Sequence, residues 1–473
     1  KASPSLDWLI ICNDFNDASN FSIRNINMSG TLVDTQQHII DNAPNEQYIY
    51  DNYDINIDPT LSGGSITITS HNKWGTSFSG NVTIENSRCI RFQNILFNKY
   101  LKTDPPQGNS SYNKVGKNVE ISKSQTNTTD PEVWFQNCKF GSKTIAPNVS
   151  RYVTALEVDH ADKVFITGCE FDGVYNCGVF REVKKALRLR NKIGSHRIND
   201  IWSNVIAGGG YTGRIDLSEG RLVHCVGEVA VAQADAIVNW WGTGNHSDYH
   251  QCGAKDDPIA DYVYFIYGNR VVNEQCLFIS SVFRTDVNGV EGWIIGNFFG
   301  SENQHAITPG PVKFNSNLVI ADNTVVKHNS TPASRMGNSF GASLEAQINL
   351  INPGNNSTGN ITVSRNIMGR LVGPSSQLAV NDNSVPVPPN IWGRSGITVL
   401  AKNNGYVDMS GKGATEALAA FNGPGIQNSN DSNSNRAVWI PEPDDFDKFI
   451  LQVDTIFSPK HNGSIPAIGH TFT

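Results

Sequence analysis

The 473-residue chain is short of methionine, with only 4, and of charge, with 17% Asp, Glu, Lys and Arg against a norm of about 25%. It lacks the helix-forming, charge-laced composition of a bundle. No run of Lys or Arg breaks its net charge of -7, so the electrostatic footprint of a nucleic-acid binder is missing. No stretch approaches the roughly 18 apolar residues of a membrane span. The opening Lys1-Ala2-Ser3-Pro4 has no apolar signal core, and the absence of an initiator Met suggests a processed or trimmed chain, in which an export signal would be missing from view. The 8 Cys residues include no Cys-x-x-Cys pair, which argues against a thiolate metal site and leaves oxidised pairing open. Gly208-Gly209-Gly210 is not followed by Lys-Ser/Thr, and no Gly-x-Ser-x-Gly elbow occurs, so phosphate-loop and serine-hydrolase chemistry is excluded.

What is abundant is Gly, 42 residues, with Asn, Ser, Thr, Val and Ile in short alternating runs. A recurring octad reads apolar, x, apolar, x, turn residue, x, x, apolar. It appears as Ile90-Arg-Phe92-Gln-Asn94-Ile-Leu-Phe97, Val133-Trp-Phe135-Gln-Asn137-Cys-Lys-Phe140 and Val164-Phe-Ile166-Thr-Gly168-Cys-Glu-Phe171. Further copies are Leu187-Arg-Leu189-Arg-Asn191, Leu318-Val-Ile320-Ala-Asp322 and Ile361-Thr-Val363-Ser-Arg365, with looser ones ending at Gly268-Asn269 and Gly296-Asn297. Alternation puts Phe92, Phe135, Ile166, Leu189, Ile320 and Val363 on one face, and the turn residue bends the chain before the next apolar plug. A second alternating strand precedes the octad: Val82 and Ile84, Val119 and Ile121, or Leu156 and Val158. Two strands and a bend make one coil of about 22–25 residues. Stacking such coils brings equivalent residues to about 4.8 Å, so Asn269, Asn297, Asn323 and Asn366, each just after the turn, are expected to form an amide ladder. Cys138 and Cys169, at the same position, are expected to stack as packed thiols rather than as catalytic groups.

This pattern predicts an all-β chain, a single right-handed parallel β-helix over residues 61–410. Residues 1–60 form an N-terminal cap that protects the solenoid end. Residues 411–473 form an irregular tail folded back over the coils, with a short helix at Ala414 to Ala420. The pattern resembles the pectate-lyase-like superfamily of right-handed parallel β-helices. Gly64-Ser65-Ile66-Thr67-Ile68-Thr69 followed by Val82-Thr83-Ile84 and Ile90-Arg91-Phe92 is similar to the opening coils of alginate lyases and chondroitinases. That resemblance implies a polysaccharide lyase and matches Arg284, in Phe283-Arg284-Thr285-Asp286, to the catalytic arginine of those enzymes, although their Arg-His-Gly is not reproduced. The architecture also resembles viral tailspikes, which implies a receptor-binding, glycan-degrading protein and is compatible with a homotrimer.

Sugar-cleaving chemistry needs two carboxyl groups across the bond, or a base with a charge-neutralising cation. The longest break in the repeat offers such groups. Trp240, Trp241, His246, Tyr249 and His250 supply stacking and polar surfaces for substrate, and Asp256, Asp257, Arg284 and Asp286 supply candidate catalytic groups. The bland alternative is one Trp buried under a solvated loop. On the alternating strand before Val164, Glu157 and Asp159 point outward, which fits either a grip on Ca²⁺ or ordinary solvated side chains. The expected partner is a polysaccharide or cell-surface glycan, bound by a secreted or virion-surface protein that is either an enzyme or a non-catalytic adhesin.

Overall fold

The computed structural model describes residues 7–12, 20–34, 59–99, 116–141, 153–172, 174, 176–196, 202–207, 221–226, 229–232, 248–255, 262–273, 275–280, 289–301, 305–309, 315–327, 347–349, 358–364, 366–368, 370–372, 397–402, 405–407 and 432–434. Every helix or strand among them is a β-strand, so the chain is all-β. No helix among the described residues is long and apolar enough to cross a membrane. The segment expected as a short helix, 414–420, lies outside them. The chain forms two compact units, Lys1–Glu228 and Val229–Thr473.

In the first unit the chain passes repeatedly through three parallel ladders in the same order. The first ladder stacks Phe21–Arg24, Val82–Glu85, Gly116–Ser122 and the leading half of Val153–Thr167. The second stacks Trp8–Cys12, Ile66–Ser70, Ile90–Gln93, Glu132–Gln136 and the trailing half of Val153–Thr167. The third stacks Ser77–Phe78, Leu96–Phe97, Lys139–Gly141 and Glu170–Asp172. The expected columns follow. Val82, Val119 and Leu156 are in register, as are Ile84, Ile121 and Val158, and all six have 0% exposure. Phe92 and Phe135 lie stacked 5.6 Å apart and meet Phe97 and Phe140 edge-on. Phe97, Phe140 and Phe171 repeat at 4.8 Å, the strand spacing of a sheet, so each turn of chain adds one ring to a continuous aromatic column. Burying each ring contributes about 1.5–3 kcal/mol.

Between the second and third ladders one residue per turn adopts a left-handed conformation, at Asn94, Asn137, Gly168 and Arg190. The last of these corrects the fourth octad. Its turn residue is Arg190 rather than Asn191, so Leu189 pairs with Thr167 and Arg188 pairs with Ile166. Arg188, with 1% exposure, therefore stands where the earlier copies have Phe92, Phe135 and Ile166. Leu-x-Leu mimics the octad one residue out of step, although Leu187 and Leu189 are both buried as expected, with 0% and 3% exposure.

The ladders also begin inside the segment expected as a cap. Trp8–Cys12 pairs in parallel with Ile66–Ser70, and Phe21–Arg24 with Val82–Glu85. Trp8, Leu9, Ile10 and Ile11 are 46–64% exposed. The strap that follows, Thr31–Val33, pairs antiparallel with Thr60–Ser62.

The second unit repeats the three-ladder order. Its central ladder stacks Tyr262–Tyr267, Gly289–Ile295, Asn315–Ala321, Thr358–Ser364 and Ile397–Lys402. Ile266, Ile294, Ile320 and Val363 are in register and fully buried. Left-handed turns at Gly268, Gly296 and Asp322 follow, and the expected amide ladder is present. Asn269 Nδ2 donates to Asn297 Oδ1, Asn297 Nδ2 to Asn323 Oδ1 and Asn323 Nδ2 to Asn366 Oδ1, each at 2.9 Å. Each Asn after the first also donates to a carbonyl of an adjoining strand, at Ile266, Ile294 or Ile320. In the first unit Cys138 and Cys169 occupy the same position, pointing their thiols at the Phe92 and Phe135 carbonyls at 3.4 Å. Burial raises the Cys169 thiol far above its ordinary range, so it is inert packing. Among the described residues, Cys12, Cys89, Cys138, Cys169 and Cys177 form no disulfide.

Candidate functional site

Since Val82, Ile84 and their equivalents fill the interior of the first ladder, the residues between them face outward. Two columns result: Ser22, Thr83, Glu120 and Glu157, and beside it Arg24, Glu85, Ser122, Asp159 and Arg181. Parallel register sets Glu120 against Glu157, which alone would repel. Lys117 resolves this by standing 3.0 Å from Glu120 and 3.1 Å from Glu157, while Arg181 reaches Glu157 at 2.7 Å. Arg24 lies 3.5 Å from Glu85. Burial opposes the charge on Lys117, but its hydrogen bonds to the two glutamates outweigh that and raise its pKa. Burial, followed by repulsion from Lys117, lowers the pKa of Lys99. The surface is thus a strip of ion-paired side chains, with one outward position repeated on every turn of chain.

Glu157 and Asp159 do face outward together, as expected. Glu157 is held by two cations, and Asp159 lies 3.6 Å from His160 Nδ1. The pair belongs to an ion-paired strip. Among the described residues no three His, Cys, Asp or Glu side chains converge to hold a metal. Tyr249 lies on the strand Asp248–Lys255 with 0% exposure, a core position that offers no face to a sugar. His250 is on the same strand, opposite Leu277. Trp240, Trp241, His246, Asp256, Asp257, Arg284 and Asp286 lie outside the described residues.

Two features escape the octad pattern. The first is a buried network at the bend between the first and second ladders. Glu132, with 1% exposure, accepts hydrogen bonds from Leu32 N at 2.7 Å, Thr31 Oγ1 at 3.0 Å and Arg88 Nη2 at 2.6 Å. Lys163 donates to Thr31 Oγ1 at 2.8 Å, and Lys185 pairs with Asp34 at 2.7 Å. Lys163 and Lys185 follow Glu132 in register, so successive turns of chain supply the clasps that hold the strap Thr31–Val33. Burial, reinforced by the nearby Glu132 charge, pushes the Cys89 thiol up to about 12, which removes it as a nucleophile. The second feature is Trp74, a half-buried indole in a left-handed backbone conformation, φ 60°. A lone Trp in a turn carries no periodic signal.

No protein-family model, curated protein or solved structure matches the chain.

Proposed function

We propose that the chain is a right-handed parallel β-helix that binds and processes a polysaccharide. Three ladders visited in a constant order, with parallel pairing between successive turns of chain, support the β-helix. Parallel crossover connections are right-handed in about 98% of cases. The observation that carries the functional reading is the outward ionic strip of Lys117, Glu120, Glu157 and Arg181. A surface that presents one side-chain position per turn of chain suits a linear polymer, which would lie along the strip and meet Lys117, Glu120, Glu157 and Arg181.

In this reading Trp240 and Trp241 stack on sugar rings. Asp256, Asp257, Arg284 and Asp286 supply the acid, base or charge-neutralising groups of a lyase or hydrolase acting outside the cell or at a virion surface. Loss of a catalytic acid or base lowers turnover by roughly 10²–10⁴ while sparing binding. Trp241→Ala, Asp257→Asn and Arg284→Ala are therefore compared in binding and cleavage assays. Weaker binding in the first and lost cleavage in the others are expected, and three variants that match the parent would discard this site.

A second reading, a non-catalytic glycan-binding adhesin or virion receptor-binding protein, draws on the engagement of Glu157 by two cations. A carboxylate so neutralised is suited to fixing a surface rather than to moving a proton. Binding by the parent protein without cleavage would select it.

A further inference from the structure

From the conformation of Trp74 and the groups around it, we infer that Trp74 and Lys73 form a separate subsite for an acidic sugar on the turn preceding the third ladder. The inference rests on the reading of the protein as glycan-binding and adds to it a place and a substrate class. A bulky residue at φ 60° is a backbone outlier, in a position where Gly or Asn costs far less. Such strain persists where the surroundings hold the residue for a purpose.

The surroundings here are specific. The indole Nε1 donates to the Asn137 carbonyl at 2.9 Å, and the Trp74 amide donates to the Asn94 carbonyl at 2.8 Å. Ring and backbone are thereby tied to two successive turn residues of the ladder. Lys139 lies 5.0 Å from the ring centroid and is itself held by Asp172 at 3.8 Å and Glu170 at 4.0 Å, so its charge is already answered. Lys73 lies 4.3 Å from the centroid, is exposed, and among the described residues pairs with no carboxylate. A rigid indole suits the C–H face of a sugar ring, and the Lys73 ammonium, over the ring on a flexible stem, can swing aside to meet a carboxylate or sulfate carried by that sugar. Together they favour a uronate or sulfated sugar over a neutral one.

The test measures binding of oligoalginate and chondroitin sulfate oligosaccharides by calorimetry, with cellohexaose as the neutral control. Trp74→Gly removes the ring while relieving the left-handed strain, so the melting temperature is expected to hold or rise as affinity for the acidic ligand falls about five- to tenfold. Trp74→Phe keeps a stacking face and is expected to retain most of the binding. Lys73→Ala is expected to weaken acidic ligands and flatten their salt dependence. Wild-type binding that is unchanged in Trp74→Gly overturns the subsite and leaves the general reading standing. Equal effects of Lys73→Ala on acidic and neutral ligands overturn the substrate class. A wild-type protein that binds none of these ligands overturns this inference together with the reading beneath it.

Discussion

Asn323 uses its whole side-chain amide in a fully buried position. Its oxygen accepts from the Asn297 backbone N–H and Nδ2, and its nitrogen donates to Asn366 Oδ1 and the Ile294 carbonyl. Asn323→Ala strands several buried polar groups at once, each costing about 1–3 kcal/mol. A destabilisation of about 3 kcal/mol or more is expected in urea titration, and a loss below about 1 kcal/mol would mean the ladder is incidental to stability. Cys89 sets a different dependence. With its folded-state value at about 12 against an ordinary 9.0, the thiol keeps its proton in the folded protein where the unfolded chain gives it up. Its contribution to stability is therefore whole below pH 9 and drains away as the pH climbs toward 12, because the unfolded state then binds fewer protons. Urea midpoints measured at about pH 8 and about pH 10 should fall less in Cys89→Ala than in the parent.

At the scale of elements, Glu132 is the hub of the clasps on the strap Thr31–Val33, beside Lys163 and Lys185. Glu132→Ala removes the acceptor of Leu32 N and Thr31 Oγ1 and leaves Arg88 without its 2.6 Å partner. Leaving the buried Leu32 N–H without its acceptor costs about 1–3 kcal/mol. Limited proteolysis is expected to cut the variant between Met28 and Asp34 while the parent resists, and equal resistance would show that the strap holds without Glu132. None of this was legible beforehand, because an ion-paired strap has no period. The ladders were legible wherever each turn repeats a size as well as a polarity, as at Phe92 and Phe135 or at the four asparagines. Leu187 and Leu189 misled because apolar alternation is blind to a one-residue slip, and only the left-handed turn at Arg190 reveals it. Trp8–Cys12 was missed for the opposite reason: its continuous apolar run shows no alternation, yet its backbone supplies another strand of the ladder.

On the scale of the whole molecule, outward charges and inward apolar columns arise from the same alternation, so the fold that buries Val82, Val119 and Leu156 necessarily displays Thr83, Glu120 and Glu157. That link carries the functional account and is why the candidate surface was partly legible, at Glu157 and Asp159. The cations that answer Glu157, Lys117 and Arg181, come from adjoining strands and surface only once the register is known. The most direct measurement incubates the parent protein with uronate-containing and capsular polysaccharides, following bound glycan, new reducing ends and the ultraviolet absorbance of unsaturated products. The account predicts binding to an acidic polysaccharide, with shortening of that polymer if the chain is an enzyme. A protein that neither retains nor shortens any polymer in the panel would contradict it.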